Sequence, residues 1–417
     1  MIHPNEKPRL VQGKTLLAVF AFGFIFLLSS VLTSAKPAQN QLDLKLKSLL
    51  SKGSVLVADD NEVLYRYPPK SNPLLVPASV LKLATALAAL HYLGPKFRYR
   101  TDFYLGENRS LGIKGYGDPF LVSEEWRRIA QNLSQFPELP KQLNQVFFDT
   151  SLFNTKIKIP GIEFSKNPYD AQNGALVLNF NTVFLKVDKQ GFVSSAEEQT
   201  PLTPLARRLA KDLSSGKHRI SIPPDSGITY AGELVHAFLT QAGFSFDSGK
   251  VALSKISSGD SFIYTHKNTS ALTELIAGML HYSNNFTANQ LLLSIGLKRY
   301  GAPATLEKGI RALKEYLRDE LGIPEQQFHI AEGSGISRKN RLTPESVWQL
   351  LRAFSERRNL LHGENGVLYK TGTLRGVSSM AGYLPGSKRR YFVILLNQPK
   401  NRRDEILKLL LASDFSG

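Results

Sequence analysis

Strand-like segments stand at both ends of this chain, and they constrain its fold more than any other feature. Residues 54–58 and 63–67 are short runs rich in valine, leucine and tyrosine, and the Asp-Asp-Asn between them is typical of a turn, so they predict a β-hairpin. Three further strand-like runs and a final helix follow near the other end, at residues 366–369, 379–384, 391–396 and 403–413. We therefore predict an antiparallel sheet, covered by helices, to which both ends of the chain contribute.

The middle of the chain has a different character. Its 417 residues are enough for two compact units, because domains commonly hold about 100–200 residues. Short strand-like runs such as residues 175–178 and 183–187 alternate with loops rich in proline and glycine. We predict an α+β fold in which residues 40–102 and 266–417 form one discontinuous domain, interrupted by an inserted, mixed, mainly β domain at residues 103–265.

The N-terminus has the pattern of an export signal. Lys7, Arg9 and Lys14 precede an uncharged apolar run at residues 16–32, and Thr-Ser-Ala at residues 33–35 provides small side chains for signal cleavage. The apolar run is at the short limit for a membrane span, so an uncleaved anchor is the alternative. Residues 1–35 therefore predict an exported protein of the periplasm or cell envelope, with either a cleaved leader or a tether to the inner membrane.

Composition excludes several kinds of chemistry. The chain has no cysteine, which excludes a thiol nucleophile and cysteine-ligated metals. Its eight histidines show no H-E-x-x-H spacing, so we predict no catalytic metal. The net charge of +17 favours an anionic partner, but no nucleic-acid-binding motif is present, and an acidic envelope polymer fits better.

Ser79 and Lys82 are the first candidate catalytic pair. They open an apolar helix predicted at residues 78–93, and residues three apart on a helix share a face, so the Lys82 ammonium should lie beside the Ser79 hydroxyl. Burial among the surrounding valine, leucine and alanine side chains would lower the lysine pKa, as a base requires. A second match at Ser214 and Lys217 has no apolar helix after it and is predicted to be loop.

Ser283, Asn284 and Asn285 form the second candidate motif. A hydroxyl and a carboxamide two residues apart can face one cleft, where they can pass a proton and hold a carbonyl group or a base. A competing match at residues 165–167 is followed at once by proline. Taken alone, the motif also fits a polar helix cap. A shifted register, Tyr282 to Asn284, is the alternative, and Ala288 and Leu291 favour the Ser283–Asn285 register.

The third motif, Lys370-Thr371-Gly372, follows an apolar strand and occurs once in the chain. Glycine allows a substrate backbone to lie against the strand edge, while lysine and threonine can hold a carboxylate. An edge strand protected by a lysine is the alternative. Each motif is weak alone, but S-x-x-K, S-x-N and K-T-G in this order are the signature of penicillin-binding proteins and serine β-lactamases.

With these motifs the chain resembles the low-molecular-mass penicillin-binding proteins that are D-Ala-D-Ala carboxypeptidases and endopeptidases. Segments 77–82, 115–119, 175–181, 333–335 and 370–373 carry the resemblance, and a long insert separates the first motif from the second. The resemblance implies a penicillin-binding, β-lactamase-like domain with an inserted domain. It also implies a serine-type carboxypeptidase, which needs no cofactor and acts on peptidoglycan stem peptides ending in D-Ala-D-Ala.

The resemblance further implies catalytic roles. Ser79 would be acylated by the substrate or by a β-lactam, with Lys82 as its base. Ser283 would pass a proton to the departing D-Ala, and Asn285 would hold Lys82 and the substrate.

Substrate binding is implied for the third motif. Lys370 and Thr371 would bind the terminal carboxylate, and Gly372 would allow the substrate to approach the strand. The backbone N–H groups of Ser79 and Thr373 would form the oxyanion hole.

Three residues depart from the family pattern. Asn284 stands where aspartate is usual, Asn289 where a glutamate is expected, and Glu332 where aspartate is usual. None of them removes a required hydroxyl, amine or carboxamide, so the departures bear on the rate more than on the reaction. Two rival hypotheses stay open at this point: a serine β-lactamase, and a peptidoglycan-binding protein without catalysis on the same scaffold.

Overall fold

The computed structural model describes residues 37–163 and 165–415. The export signal predicted at residues 1–35 lies outside these ranges. Within them, no helix is long and apolar enough to cross a membrane.

The described ranges contain ten α-helices and eighteen β-strands. The helices are α1 (Pro37–Leu49), α2 (Lys82–Leu93), α3 (Ser123–Leu133), α4 (Pro204–Leu209), α5 (Gly227–Gln241), α6 (Leu272–His281), α7 (Asn285–Tyr300), α8 (Leu306–Glu315), α9 (Pro344–Phe354) and α10 (Arg403–Leu411). The strands are β1 (Gly53–Ala58), β2 (Val63–Tyr67), β3 (Arg100–Gly106), β4 (Ser110–Gly115), β5 (Gln142–Leu143), β6 (Val146–Asp149), β7 (Thr182–Val187), β8 (Val193–Ser195), β9 (Gly216–Ser221), β10 (Ser245–Phe246), β11 (Val251–Leu253), β12 (Ser261–Lys267), β13 (Phe328–His329), β14 (Arg341–Leu342), β15 (His362–Glu364), β16 (Val367–Leu374), β17 (Val377–Leu384) and β18 (Arg390–Leu396).

The largest sheet is built from both ends of the chain, as the sequence predicts. Its strand order is β15-β16-β17-β18-β1-β2, and every neighbouring pair is antiparallel. The hairpin β1–β2 therefore pairs with the last strand, β18, and places residues near the start of the described chain against residues near its end.

The two faces of this sheet alternate with the period of two that a strand imposes. On β18, Phe392, Ile394 and Leu396 face a core that α1 and α10 cover. Val393 and Leu395 face the opposite core, which contains α2, α6, α7, α8 and α9. Because both faces are buried, β18 is apolar along its length, which is why the sequence marks it so clearly.

A second core lies in the middle of the chain, and its members fall between residues 103 and 264. It is formed by a mixed sheet of order β11-β6-β4-β3-β12, by the antiparallel sheet β8-β7-β9, and by helices α3, α4 and α5. We propose, on the extent of this core, that residues 103–265 form the inserted domain and that residues 40–102 and 266–417 form the other domain.

Two local predictions need correction. Residues 78–81 form a 3₁₀ turn rather than the first turn of the α-helix, which starts at Lys82. Residues 175–178 are not a strand; they run into a turn, Asn179–Asn181, whose three residues all have positive φ of 50–60°. The second motif lies at the junction of two helices, α6 and α7.

Helices α7 and α8 cross at a pair of glycines. A Cβ atom on Gly296 would lie 2.5 Å from the backbone nitrogen of Gly309, and one on Gly309 would lie 2.5 Å from the carbonyl oxygen of Leu292. The two backbones are therefore in direct contact, and α7 is held at a fixed distance from its neighbour.

We expect Gly296→Ala to destabilise the protein by about 1–3 kcal/mol, because the methyl group overpacks this crossing. Alanine normally stabilises a helix by about 1 kcal/mol relative to glycine, so the sign is opposite to helix propensity. Gly278→Ala in α6 is the matched control, because nothing lies within 4 Å of its Cβ position and it should raise stability. Urea unfolding of both variants checks the pair, and equal effects would contradict the crossing argument.

Candidate active site

Ser79 lies in the 3₁₀ turn Ala78–Leu81, against two glycines from distant segments. A Cβ on Gly372 would lie 2.6 Å from the Ser79 backbone nitrogen, and one on Gly335 would lie 1.9 Å from the Ala78 carbonyl oxygen. Gly335 also has a φ of +88°, and Ala78 itself has a φ of 46°. Strand β16 and the 333–335 loop can approach the serine this closely only because both positions lack a side chain.

Lys82 is completely buried beneath Ser79. Its Nζ atom donates to three oxygens: Ser79 Oγ at 3.0 Å, Asn285 Oδ1 at 2.7 Å and the Ser334 carbonyl at 2.7 Å. Burial, followed by the charge of Lys370, holds the pKa of Lys82 well below its ordinary value, although Glu332 acts in the opposite direction. The geometry and the lowered pKa are those of a lysine that can take a proton from the serine hydroxyl.

The second motif forms the break between α6 and α7. Ser283 has a φ of 53°, and Asn284 caps α7 by accepting a hydrogen bond from the backbone N–H of Thr287 at 2.9 Å. Asn285, the first residue of α7, reaches Lys82, and the Ser283 hydroxyl lies 3.0 Å from Lys370 Nζ. Tyr282 is 78% exposed, so the residues that meet the two lysines are Ser283 and Asn285.

The third motif lies on β16. Lys370 is buried, and its Nζ also donates to the Thr371 carbonyl at 2.9 Å. Burial, assisted by the charge of Arg403, lowers the pKa of Lys370 to about 8. Thr373 is exposed, and its hydroxyl accepts a hydrogen bond at 2.9 Å from Arg403, which lies at the start of α10.

The structure thus joins the three motifs through two lysines. One set of hydrogen bonds links Ser79 to Lys82 and Asn285, and the other links Ser283 to Lys370. The two competing motif matches lie elsewhere: Ser165 donates to Asp170 within its own loop, and Asn167 caps a short 3₁₀ turn. Ser214 lies in the turn before β9, where its carbonyl bonds His218.

Sequence reasoning missed two contributors to this site. The Ser334 carbonyl holds Lys82, but a backbone acceptor has no signature beyond the Gly-Ser-Gly that surrounds it. Arg403 opens the last helix and gives no pattern that connects it with β16. Glu332 was noted only as a departure from the family pattern; it is completely buried and accepts hydrogen bonds from the loop that follows it.

A cavity of about 520 Å³ adjoins the second motif, between α6 and the middle of the chain. Ser283 and Asn285 line it, whereas Ser79 and Lys370 do not, so it neighbours the catalytic cluster across the loop. Its wall includes five aromatic residues, Phe120, Tyr169, Phe180, Tyr282 and Phe286, and the ion pair between Arg219 and Glu197.

Comparisons with known proteins agree with this architecture. The family model for D-Ala-D-Ala carboxypeptidase 3 (S13) matches residues 42–206 and 209–366. A D-alanyl-D-alanine carboxypeptidase of Actinomadura is 24% identical, over 82% of this chain and 77% of that protein. The crystal structure of penicillin binding protein 4 (DacB) from Haemophilus influenzae superposes with a TM-score of 0.70 at 20% identity, over 90% of this chain and 98% of that one. A predatory peptidoglycan endopeptidase of Bdellovibrio bacteriovorus gives a TM-score of 0.52 at 13% identity, over 87% and 92%.

The fold and the matched family define a serine hydrolase of the penicillin-binding class, with an inserted domain. The chain belongs to the D-Ala-D-Ala carboxypeptidase 3 (S13) family. It is accordingly a serine-type D-Ala-D-Ala carboxypeptidase, and the predicted fold class and activity are confirmed.

The pH profile of the peptidase should report the titration of Lys370. Activity should fall as the pH rises through about 8, because the charged form of Lys370 is lost there. Since Arg403 contributes to the low pKa of Lys370, Arg403→Gln should raise that pKa and move the descending limb to higher pH. Arg402→Gln is the control, because that side chain bonds Glu405 on the surface. Identical shifts in both variants, or none in either, would contradict the assignment.

Proposed function

We propose that Ser79 is the nucleophile and Lys82 its general base. Ser79 Oγ attacks the carbonyl carbon of the penultimate D-Ala, and its proton passes to Lys82 Nζ over the 3.0 Å hydrogen bond. The C–N bond then breaks, the proton held by Lys82 is passed to the amine of the departing terminal D-Ala, and an ester forms on Ser79. Water, deprotonated by Lys82, hydrolyses the ester and frees the serine.

The observation that carries this proposal is the burial of Lys82, whose lowered pKa favours the neutral amine, with its Nζ within hydrogen-bonding distance of both Ser79 and Asn285. Asn285 holds Lys82 Nζ through its Oδ1 at 2.7 Å and can also donate its own N–H to the substrate. The Ser283 hydroxyl lies 3.0 Å from Lys370 Nζ, and we assign to it the transfer of the proton that the departing amine requires.

The remaining site residues bind the substrate. Lys370 and Thr371 hold the terminal carboxylate, and Gly372 keeps the strand free of a side chain beside the serine. The backbone N–H groups of Ser79 and Thr373 stabilise the oxyanion that develops in the transition state. Because these groups are fixed by the turn and by β16, little reorganisation is needed during the reaction.

The substrates are peptidoglycan stem peptides that end in D-Ala-D-Ala, and β-lactams acylate the same serine. Support comes from the family and from the H. influenzae relative, which was also solved with a β-lactam. A β-lactamase or a wall-binding protein without catalysis would share the scaffold, but the matched family and the named relative are carboxypeptidases.

The location of the enzyme is proposed from its N-terminus. The basic flank, apolar run and small residues of residues 1–35 support export to the periplasm or cell envelope. A tether to the inner membrane through an uncleaved leader is the finer form of this proposal.

A fluorescent penicillin followed on a gel over time tests the nucleophile. The wild-type protein should carry a durable label, and Ser79→Ala should carry none. Ser214→Ala, which removes the serine of the competing motif, should label like the wild type. D-Ala release from a pentapeptide completes the test. Label that fades within minutes would favour a β-lactamase, and an unlabelled but folded wild-type protein would contradict the nucleophile.

Cleavage of cross-linked peptides is a second activity that the aromatic cavity favours. A cross-linked substrate carries a second stem peptide, and a cavity of about 520 Å³ beside Ser283 has the size of a small-ligand site. Tyr169 and Tyr282 are 59% and 78% exposed there, so they offer apolar ring surface to a ligand. The Bdellovibrio relative is named as a peptidoglycan endopeptidase, which is consistent with this fold performing such a reaction.

We expect Tyr169→Ala to lower kcat/KM for a cross-linked muropeptide dimer about fivefold to tenfold, the size of effect typical of an aromatic contact. The effect on a monomeric pentapeptide should be much smaller, because the second peptide is absent. Phe192→Ala is the matched control, since Phe192 is 78% exposed in the middle of the chain and does not line the cavity. Equal losses on both substrates would argue against a role for the cavity in cross-link binding.

A further inference from the structure

The Glu332 carboxylate is completely buried, and its described hydrogen-bond partners are uncharged donors. An ionised group in this position is costly unless many donors surround it. Six donors do so, at 2.5–3.3 Å: the backbone N–H groups of Ser334, Gly335 and Ser337, the Ser334 hydroxyl, and the side-chain amides of Asn289 and Asn340. These donors suit a carboxylate group, which can accept hydrogen bonds at both of its oxygens.

Four of the six donors on Glu332 belong to the loop that contacts Lys82. Ser334 gives Glu332 both its backbone N–H and its hydroxyl, each at 2.6 Å, and its carbonyl oxygen receives Lys82 Nζ at 2.7 Å. Gly333 is fixed from both sides, because its N–H donates to Asn289 and its carbonyl accepts from Thr85 of α2. The orientation of the Ser334 carbonyl therefore depends on the loop, and the loop is organised around one carboxylate.

We propose that Glu332 is a positioning residue for the base: by gathering the donors of residues 334–337, Asn289 and Asn340, it aims the Ser334 carbonyl at Lys82 and keeps the ammonium between Ser79 and Asn285. This inference rests on the proposed role of Lys82. Glu332 does not touch the substrate, so it acts through the lysine.

Glu332 also affects Lys82 through its charge. The charged groups that act on Lys82 are Lys370, which lowers the lysine pKa, and Glu332, which raises it. A lysine subject to burial and to Lys370 alone would lose its proton more readily. The carboxylate thus combines a geometric effect on the base with an electrostatic one, and the two effects can be measured separately.

Asn289 is the complement of Glu332. Its side-chain N–H donates to the carboxylate at 2.9 Å, and its oxygen accepts from Gly333 at 2.8 Å. A glutamate at position 289, which the family pattern leads one to expect, would bring a second carboxyl group to the same place, where two like charges repel. The two departures at 289 and 332 are therefore in direct contact, and an amide at 289 suits the acid at 332.

The test is the pH profile of penicillin acylation in the full chain. We expect Glu332→Gln to slow acylation by up to about 100-fold. The NH₂ group of glutamine would face N–H and O–H groups that now donate to the carboxylate, and the Ser334 carbonyl would be displaced. Its ascending limb, which reports deprotonation of Lys82, should move to lower pH because the negative charge is gone. Glu332→Asp keeps the charge and should leave the limb near its wild-type position while recovering part of the rate.

A second variant covers the case in which Glu332→Gln does not fold. Ser334→Ala removes one donor but keeps the carboxylate and the backbone carbonyl, so acylation should slow while the limb stays in place. A folded Glu332→Gln protein whose rate is within twofold of the wild type would overturn the inference. A Glu332→Gln protein that is acylated more slowly but keeps the ascending limb of its pH profile at the wild-type position would overturn it too. A general disturbance of the structure would lower the rate in that way without changing the pKa of Lys82. Failure of the wild type to be acylated would instead contradict the proposed function.

Discussion

The burial of one lysine is the constraint on which the rest of this structure depends. Lys82 lies at the start of α2, a helix whose residues from Lys82 to Leu90 are all buried, and its ammonium is compensated by three oxygens instead of water. Desolvation of an ammonium is expensive, and this cost is what lowers its pKa, as the proposed role of a base requires. Each of the three oxygens comes from a different segment, so this environment exists only when those segments are assembled.

The architecture explains how those segments meet. The serine and Lys82 follow the hairpin at the beginning of the catalytic sheet, whereas β16 belongs to its other end. Antiparallel pairing of β18 with β1 brings the two ends into one sheet, and α7 packs against α2 to deliver Asn285. Two glycines, Gly335 and Gly372, then let the loop and the strand close against the serine turn. The catalytic cluster is thus a product of long-range pairing, and the inserted chain between its motifs need not disturb it.

The elements that sequence reasoning predicted well are those with a strong periodic signal. Strands β1, β2, β16, β17 and β18 alternate or are apolar throughout, and residues three apart at positions 79 and 82 were expected to meet. The segment at residues 175–178 misled the prediction because its apolar residues pack into two cores without forming a strand: Ala175 belongs to a small core with Phe153, and Leu176 and Leu178 belong to the core in the middle of the chain. The segment runs into a turn of three residues with positive φ, a conformation that costs about 1–2 kcal/mol per residue. The hydrogen bonds of Glu332 could not be predicted either, because a single acid has no pattern until the loop encloses it.

Asn284, the middle residue of the second motif, departs from the family pattern in its charge but not in its ability to cap a helix. Asn284 caps α7 by accepting a hydrogen bond from the backbone N–H of Thr287. Asparagine is about as good an N-cap as aspartate, so the position of Ser283 and Asn285 does not require an acid there. What asparagine changes is charge, since an aspartate would add a negative group at the N-terminus of α7, next to the residues that hold Lys82. Positions 284 and 289 carry uncharged amides, whereas the buried Glu332 carboxylate raises the pKa of Lys82 against the opposing effects of burial and of the Lys370 charge.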